Sequence, residues 1–182
     1  MARILIPLAQ GCEELEAVTV IDLLRRAGLD VVTAGLEAGP VKASRGVMLL
    51  PDVLLDDVLD QPFQMIVLPG GLPGADHLDR DPRIRTLLER VTRENGYTAA
   101  ICAAPKVLAS AGLLAGRRAT GYPGVLEPLN LQDVAIDTAA VVQDGQVITS
   151  RGPGTAMDFA LELISILAGK EKRAEVEAGL VR

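Results

Sequence analysis

The chain has 182 residues, enough for one domain with one core, and 49% of them are apolar, so that core needs no disulfide or metal staple. Aromatic residues make up 2% and Trp is absent, which leaves Leu, Val, Ile and Ala to build the interior. A net charge of −6 without a basic tract argues against nucleic acid and anionic membrane surfaces as partners, because both need clustered Lys and Arg.

Two cysteines, Cys12 and Cys102, and one histidine, His77, are too few for a disulfide framework or a multi-ligand zinc site. The first residues run straight into a strand pattern rather than a cleavable signal. No apolar run approaches the ~20 residues of a membrane span. The expectation is a soluble cytoplasmic protein, residues 1–182 forming a single domain, with no metal and no cofactor.

In chain order, Ile4 to Leu8 reads as a first strand, and Glu13 to Ala27 as a helix stopped by Gly28. Asp30 to Ala34 is a second strand. Met65 to Leu68 is a central strand that stops at Pro69-Gly70-Gly71. Pro82 to Asn95 is a helix with Ile84, Leu87, Leu88 and Val91 at helical spacing and Gly96 as its stop. Thr98 to Ile101 is a short buried strand, and Cys102 begins what reads as the next helix. Ala139 to Val142 and Val147 to Ser150 flank a tight turn. Thr155 to Ala168 is a helix with a capping box from Thr155 to Asp158, and Lys170 to Glu177 is a short final helix.

Apolar strands alternating with amphipathic helices predict a doubly wound, mostly parallel α/β sheet with helices on both faces. In such sheets sites form beyond the carboxyl ends of strands. Four motif loops fall at strand ends: Gln10 to Glu14, Pro69 to Gly71, the corner at Cys102, and Ser150 to Gly154.

Cys102 at a strand-to-helix corner is placed like the nucleophile at a hydrolase elbow. A helix amino terminus facing its sulfur would favour the thiolate. Read otherwise, it is a buried inert thiol. Glu16 shares a helical face with Ala17, Val20, Leu23 and Leu24, whereas Glu13 and Glu14 are free to face solvent. A desolvated Glu16 carboxyl has a raised pKa and could exchange a proton with a nearby thiol. Alternatively, all three acids merely suit a helix start. Gly70 and Gly71 permit close backbone approach, so the Gly71 N–H and the Ala103 N–H could hold an oxyanion. They could equally be a permissive turn. Cys12 reads as a spare loop thiol, and His77 as an exposed residue at a helix start.

Together, Gly11 to Glu16, Leu24 to Gly28, Ser44 to Val47, Val67 to Gly71, Ala99 to Pro105 and Thr149 to Thr155 resemble the DJ-one/ThiJ/PfpI superfamily, in the branch of the parkinsonism-associated deglycase and its short bacterial relatives. The resemblance covers nearly the whole chain. It implies a flavodoxin-like homodimer with the reactive cysteine at Cys102, a protonated glutamate at Glu16 and oxyanion donors at Gly71 and Ala103. Arg26 and Arg45 fall where the family has arginines near the site and dimer interface. Gly70, Tyr122, Arg151 and Pro153 complete the implied pocket or interface.

Departures from the pattern are visible. Ala103 stands where peptidase-like members carry His, and Tyr122 where the parkinsonism-associated member has His before Pro. That member's two further cysteines fall on Ala43 and Leu50. The resemblance implies a cofactor-independent enzyme on reactive carbonyls, acting as a glyoxalase on methylglyoxal or as a deglycase on glycated amines and thiols. Two alternatives use the same residues. One is a non-catalytic oxidative-stress sensor or redox-regulated chaperone, and the other a small-molecule cysteine hydrolase.

Overall fold

The computed structural model describes residues 2–182; Met1 lies outside the described residues. Strand β1 (Arg3–Leu8) is followed by helix α1 (Glu14–Arg26), β2 (Asp30–Gly35), and the short strands β3 (Val41–Lys42), β4 (Met48–Leu49) and β5 (Val53–Leu54). Next come β6 (Met65–Leu68), α2 (Gly74–Arg80), α3 (Pro82–Arg93), β7 (Tyr97–Ile101) and α4 (Pro105–Ser110). The chain ends with β8 (Arg118–Ala119), β9 (Ala135–Ile136), β10 (Val141–Asp144), β11 (Val147–Ser150), α5 (Ala156–Ala168) and α6 (Lys170–Gly179).

Seven strands form the central sheet in the order β10-β11-β7-β6-β1-β2-β5. All pair in parallel except β10, which runs antiparallel to β11 across the Gly145-Gln146 turn. This is the doubly wound α/β architecture that the strand pattern predicts. The strand interiors are apolar throughout because both faces are covered. Along β1 the side chains alternate: Ile4, Ile6 and Leu8 pack with α1 and α5, whereas Leu5 packs with α3 and α4. With few aromatics available, Phe159 on α5 is the largest fully buried side chain.

Several boundaries differ from the sequence expectation. The first hairpin strand runs Val141–Asp144 rather than Ala139 to Val142, because Gln143 and Asp144 pair with Ile148 and Val147 and leave only Gly145-Gln146 for the turn. Asn95, not Gly96, takes the left-handed conformation that ends α3, at φ 60°. Gly96 serves close approach instead, since a Cβ there would lie 2.6 Å from Val91 Cγ1. Thr155 makes no capping bond to α5; its hydroxyl turns back to the Gly152 carbonyl at 2.9 Å, and Asp158 pairs with Arg182 at 2.6 Å. Cys102 to Ala104 form a turn, and α4 begins only at Pro105. No helix is long and apolar enough to cross a membrane among the described residues.

Candidate active site

The loops after β1, β6, β7 and β11 meet at the carboxyl edge of the sheet, and their backbones interlock. Glu13 N–H donates to Gly70 O at 2.9 Å, and Gly70 N–H donates to Glu16 Oε2 at 2.8 Å. A Cβ on Gly70 would sit 2.7 Å from Cys102 Cβ and 2.7 Å from Glu16 Oε2, so only glycine lets these three residues converge. Gly71 adopts φ 85°, and a Cβ there would fall 2.3 Å from Glu13 N. Both requirements of glycine, conformation and space, are met in one dipeptide.

Cys102 itself lies at φ 62°, a left-handed conformation that costs a non-glycine residue about 1–3 kcal/mol. Its backbone is held at both ends: Cys102 N–H donates to Ser150 O at 3.0 Å, and Tyr122 N–H donates to Cys102 O at 2.8 Å. These bonds over-determine the turn and present the thiol, which is 8% exposed, beside Glu16. The backbone N–H groups of Gly71 and Ala103 favour negative charge on the sulfur.

Electrostatics reverse one expectation. The sequence suggests a thiolate stabilised by a helix end. Instead burial, then the neighbouring Glu16 charge, push the Cys102 thiol up to about 12, and the two N–H donors offset this only in part. The helix supplies little because α4 is six residues long and starts three residues later. Burial also raises Glu16 to about 7, with the Cys102 thiol and the Gly70 N–H opposing the rise. Two acids in one dry pocket do not both ionise readily, so near neutral pH the proton stays on the sulfur and Glu16 is the group that titrates. Glu16 Oε1 is fully buried and makes no hydrogen bond of ordinary geometry. It is the oxygen left to exchange a proton with sulfur.

Other residues are placed differently from their sequence reading. Glu14 is 9% exposed rather than solvent-facing, and accepts the Arg45 N–H at 2.9 Å and the Ser44 hydroxyl at 3.1 Å, ties that hold its carboxyl below the usual range. Cys12 is a core residue, not a loose loop thiol, and burial pushes it up to about 11. Its backbone is the surface against which Gly71 and Gly74 pack. His77 is exposed within α2 and lines a separate cleft.

Tyr122 and Gly152 border the Cys102 turn, with the Tyr122 ring 3.3 Å from where a Gly152 Cβ would be. Arg151 and Pro153 flank Gly152, and the Arg151 guanidinium donates to Thr138 O at 3.2 Å. Arg26 does not join this cluster: it ends α1, ten residues beyond Glu16, and pairs with Asp22 at 2.6 Å. The Arg45 side chain is exposed on the 44–47 turn, and only its backbone reaches the start of α1. Sequence reasoning missed Glu14, Gly11 and Gly74 as parts of the scaffold. A Cβ on Gly11 would meet Pro73 Cδ at 2.5 Å, and one on Gly74 would meet Cys12 N at 2.5 Å, contacts that no local pattern announces. Among the described residues no cluster of His, Cys, Asp and Glu could hold a metal ion.

With that geometry in hand, comparison places the chain among known proteins. Residues 2–166 match the DJ-1/PfpI family. Protein dj-1beta of Drosophila melanogaster is 46% identical over 178 residues, covering 97% of this chain and 95% of that protein. Its crystal structure superposes with a TM-score of 0.94 at 45% identity, covering 99% of this chain and 97% of that one. The Parkinson disease protein 7 homolog of Danio rerio is 42% identical, covering 98% and 96%. The glutathione-independent glyoxalase DJR-1.2 of Caenorhabditis elegans is 40% identical, covering 94% of this chain and 90% of that protein.

Proposed function

Because the chain belongs to the DJ-1/PfpI family, we propose that it is a cysteine-dependent enzyme of small reactive carbonyls, converting methylglyoxal to lactate or releasing early methylglyoxal and glyoxal adducts from amines and thiols. The observation that carries this reading is the strained Cys102 turn, which sets the thiol under the influence of two backbone N–H donors and beside a carboxyl with a pKa of about 7. A general base works best when its pKa lies near the working pH. The name of the Caenorhabditis relative supports a glyoxalase class.

In the proposed reaction the Cys102 sulfur attacks the aldehyde carbon of methylglyoxal while its proton passes to the Glu16 carboxylate. The new oxyanion lies against the Gly71 and Ala103 N–H groups and takes the proton back from Glu16, giving a hemithioacetal. Glu16 then removes the hydrogen from that carbon and returns it to the neighbouring ketone carbon. The hydroxyl proton moves from the first oxygen to the second, and a lactoyl thioester results. Water attacks the thioester carbonyl, the C–S bond breaks, sulfur is reprotonated and lactate leaves. The sum is methylglyoxal plus water to lactic acid. One carbon is oxidised and its neighbour reduced, so no outside oxidant is needed.

The test is lactate formation by the purified protein. Cys102→Ser should lower it to background, because a hydroxyl without a strong base is a far poorer nucleophile. Cys12→Ser and His77→Ala should retain most of it. Wild type no faster than Cys102→Ser would overturn the reading for this substrate.

The unpartnered Glu16 Oε1 favours a second reading, a sensor, since a protonated Oε1 could donate to a sulfinate on Cys102. Two oxygens gained on Cys102 at mild peroxide, with Cys12 spared, would support it; equal oxidation of both thiols would count against it.

We also propose a homodimer. Leu15, Val18, Val47 and Met48 are each 46–57% exposed, and Glu14 ties the 44–47 turn to the start of α1, so these apolar side chains gather on one side of the molecule. Arg45 lies on the same turn.

A further inference from the structure

We propose that the cleft between the 36–41 segment and the α2–α3 junction is a second binding site, for a monoanionic carboxylate carrying a short apolar chain. The cleft has a volume of about 460 Å³, within the range of small-molecule sites. It opens at the carboxyl ends of β1 and β2, where Leu36 N–H donates to Leu8 O at 3.2 Å. Leu8, Leu36 and Val41 supply an apolar lining. Cys102 is not among its lining residues.

The walls are held in place by the protein itself. Gln10 spans one side: its side-chain NH2 donates to Pro40 O at 3.1 Å, and its carbonyl accepts the Lys42 N–H at 2.9 Å. Arg83 fixes the other side, donating to Asp81 at 2.6 Å, to Asp56 at 2.9 Å and to Leu36 O at 3.0 Å. A cleft held open in this way loses little entropy when a ligand enters.

The charges select the ligand. Arg83 and Asp81 satisfy each other, and Asp76, which feels the charges of Arg80 and His77, is ion-paired with Lys106 instead. Among the described residues Arg80 therefore lines the cleft with no ion-pair partner, and His77 beside it has none either. A guanidinium binds a carboxylate through two parallel N–H bonds. Glu37, exposed on the same cleft, opposes a second negative charge on the ligand. One free cation against one repelling acid fits a monoanion and disfavours a phosphate dianion.

The experiment titrates 4-methylpentanoate into the full-length protein and follows backbone amide shifts, with 4-methylpentan-1-ol and inorganic phosphate as comparison probes. The carboxylate should move the amides of residues 36–41 and α2, and should bind at least about tenfold more tightly than the alcohol or phosphate. Arg80→Gln should weaken it by about tenfold or more, the loss of one charge-assisted pair, and Arg80→Lys should restore part of that. Arg80 is exposed and unpaired, so neither variant threatens the fold. Cys102→Ser should leave binding unchanged, which keeps this site separate from the carbonyl chemistry. Equal binding of the alcohol, equal binding of phosphate, no effect of Arg80→Gln, or shifts centred on the Cys102 turn would each overturn the proposal.

Discussion

Glu16 is where burial and chemistry oppose each other. Its carboxyl is fully buried and its pKa is raised to about 7, against about 4.3 for an ordinary glutamate. Below pH 4 it is neutral whether the chain is folded or not. As pH rises from about 4 to 7 the unfolded chain ionises first, so folding loses about 3 kcal/mol across that window. The lowered acids, Glu14, Asp52, Asp76, Asp81 and Asp137, act the other way, but below about pH 4, outside the window. Glu16→Gln can still accept the Gly70 N–H and cannot ionise. Urea denaturation at pH 5 and pH 8 should show the variant more stable than wild type at pH 8 and nearly level between the two. An unchanged pH slope would mean that Glu16 titrates normally. The same variant should lose the rising limb of kcat/KM near pH 7 and about 10²–10⁴-fold in rate, since its amide is no base.

At the scale of elements, the joint that matters is the loop after β6 seated between the start of α1 and the turn after β7. Gly70 is its tightest point. Besides Cys102 and Glu16, a Cβ there would lie 2.8 Å from Ile101 O, and a strand end cannot swing away as a flexible side chain can. Gly70→Ala should therefore cost on the order of 1–3 kcal/mol of stability. It should also lower turnover by far more than it weakens substrate binding, because it shifts the thiol, the carboxyl and the Gly71 N–H relative to one another. Matched denaturation and steady-state kinetics separate the two effects. A variant with wild-type kcat would show that the joint tolerates a methyl group and that the close packing is incidental to the chemistry.

At the scale of the whole molecule, two apolar clusters cover the two faces of the sheet, while Leu15, Val18, Val47 and Met48 stay exposed around the start of α1 and the 44–47 turn. An exposed apolar patch of this kind marks an interaction surface. A symmetric pair of copies would bury it against itself. Light scattering at micromolar concentration should give twice the 19.2 kDa chain mass, and Val18→Glu with Met48→Glu should shift it to the single-chain mass. A single-chain mass for the wild type would remove the dimer proposal and leave the patch open to a different partner.

Periodicity alone determined most of the architecture. The runs at Ile4, Asp30, Met65, Thr98 and Val147 and the stripes of α1, α3 and α5 stand in the fold as read, because a strand buried on both faces must be continuously apolar and a covering helix must show one apolar stripe. The two-residue strands β3, β4, β5, β8 and β9 were invisible, since two residues carry no period. For the site, the chain order of Glu16, Gly70, Gly71, Cys102 and Ala103 was legible as motifs at strand ends. Their convergence was decided by backbone contacts between residues far apart in sequence, such as Gly70 against Glu16 and Cys102 against Ser150. The proton balance between Cys102 and Glu16 also lay beyond the sequence. A helix start in sequence suggests a low thiol pKa, but the sign is set by how much water the folded turn excludes and by which charge is placed beside the sulfur, and those are properties of packing alone.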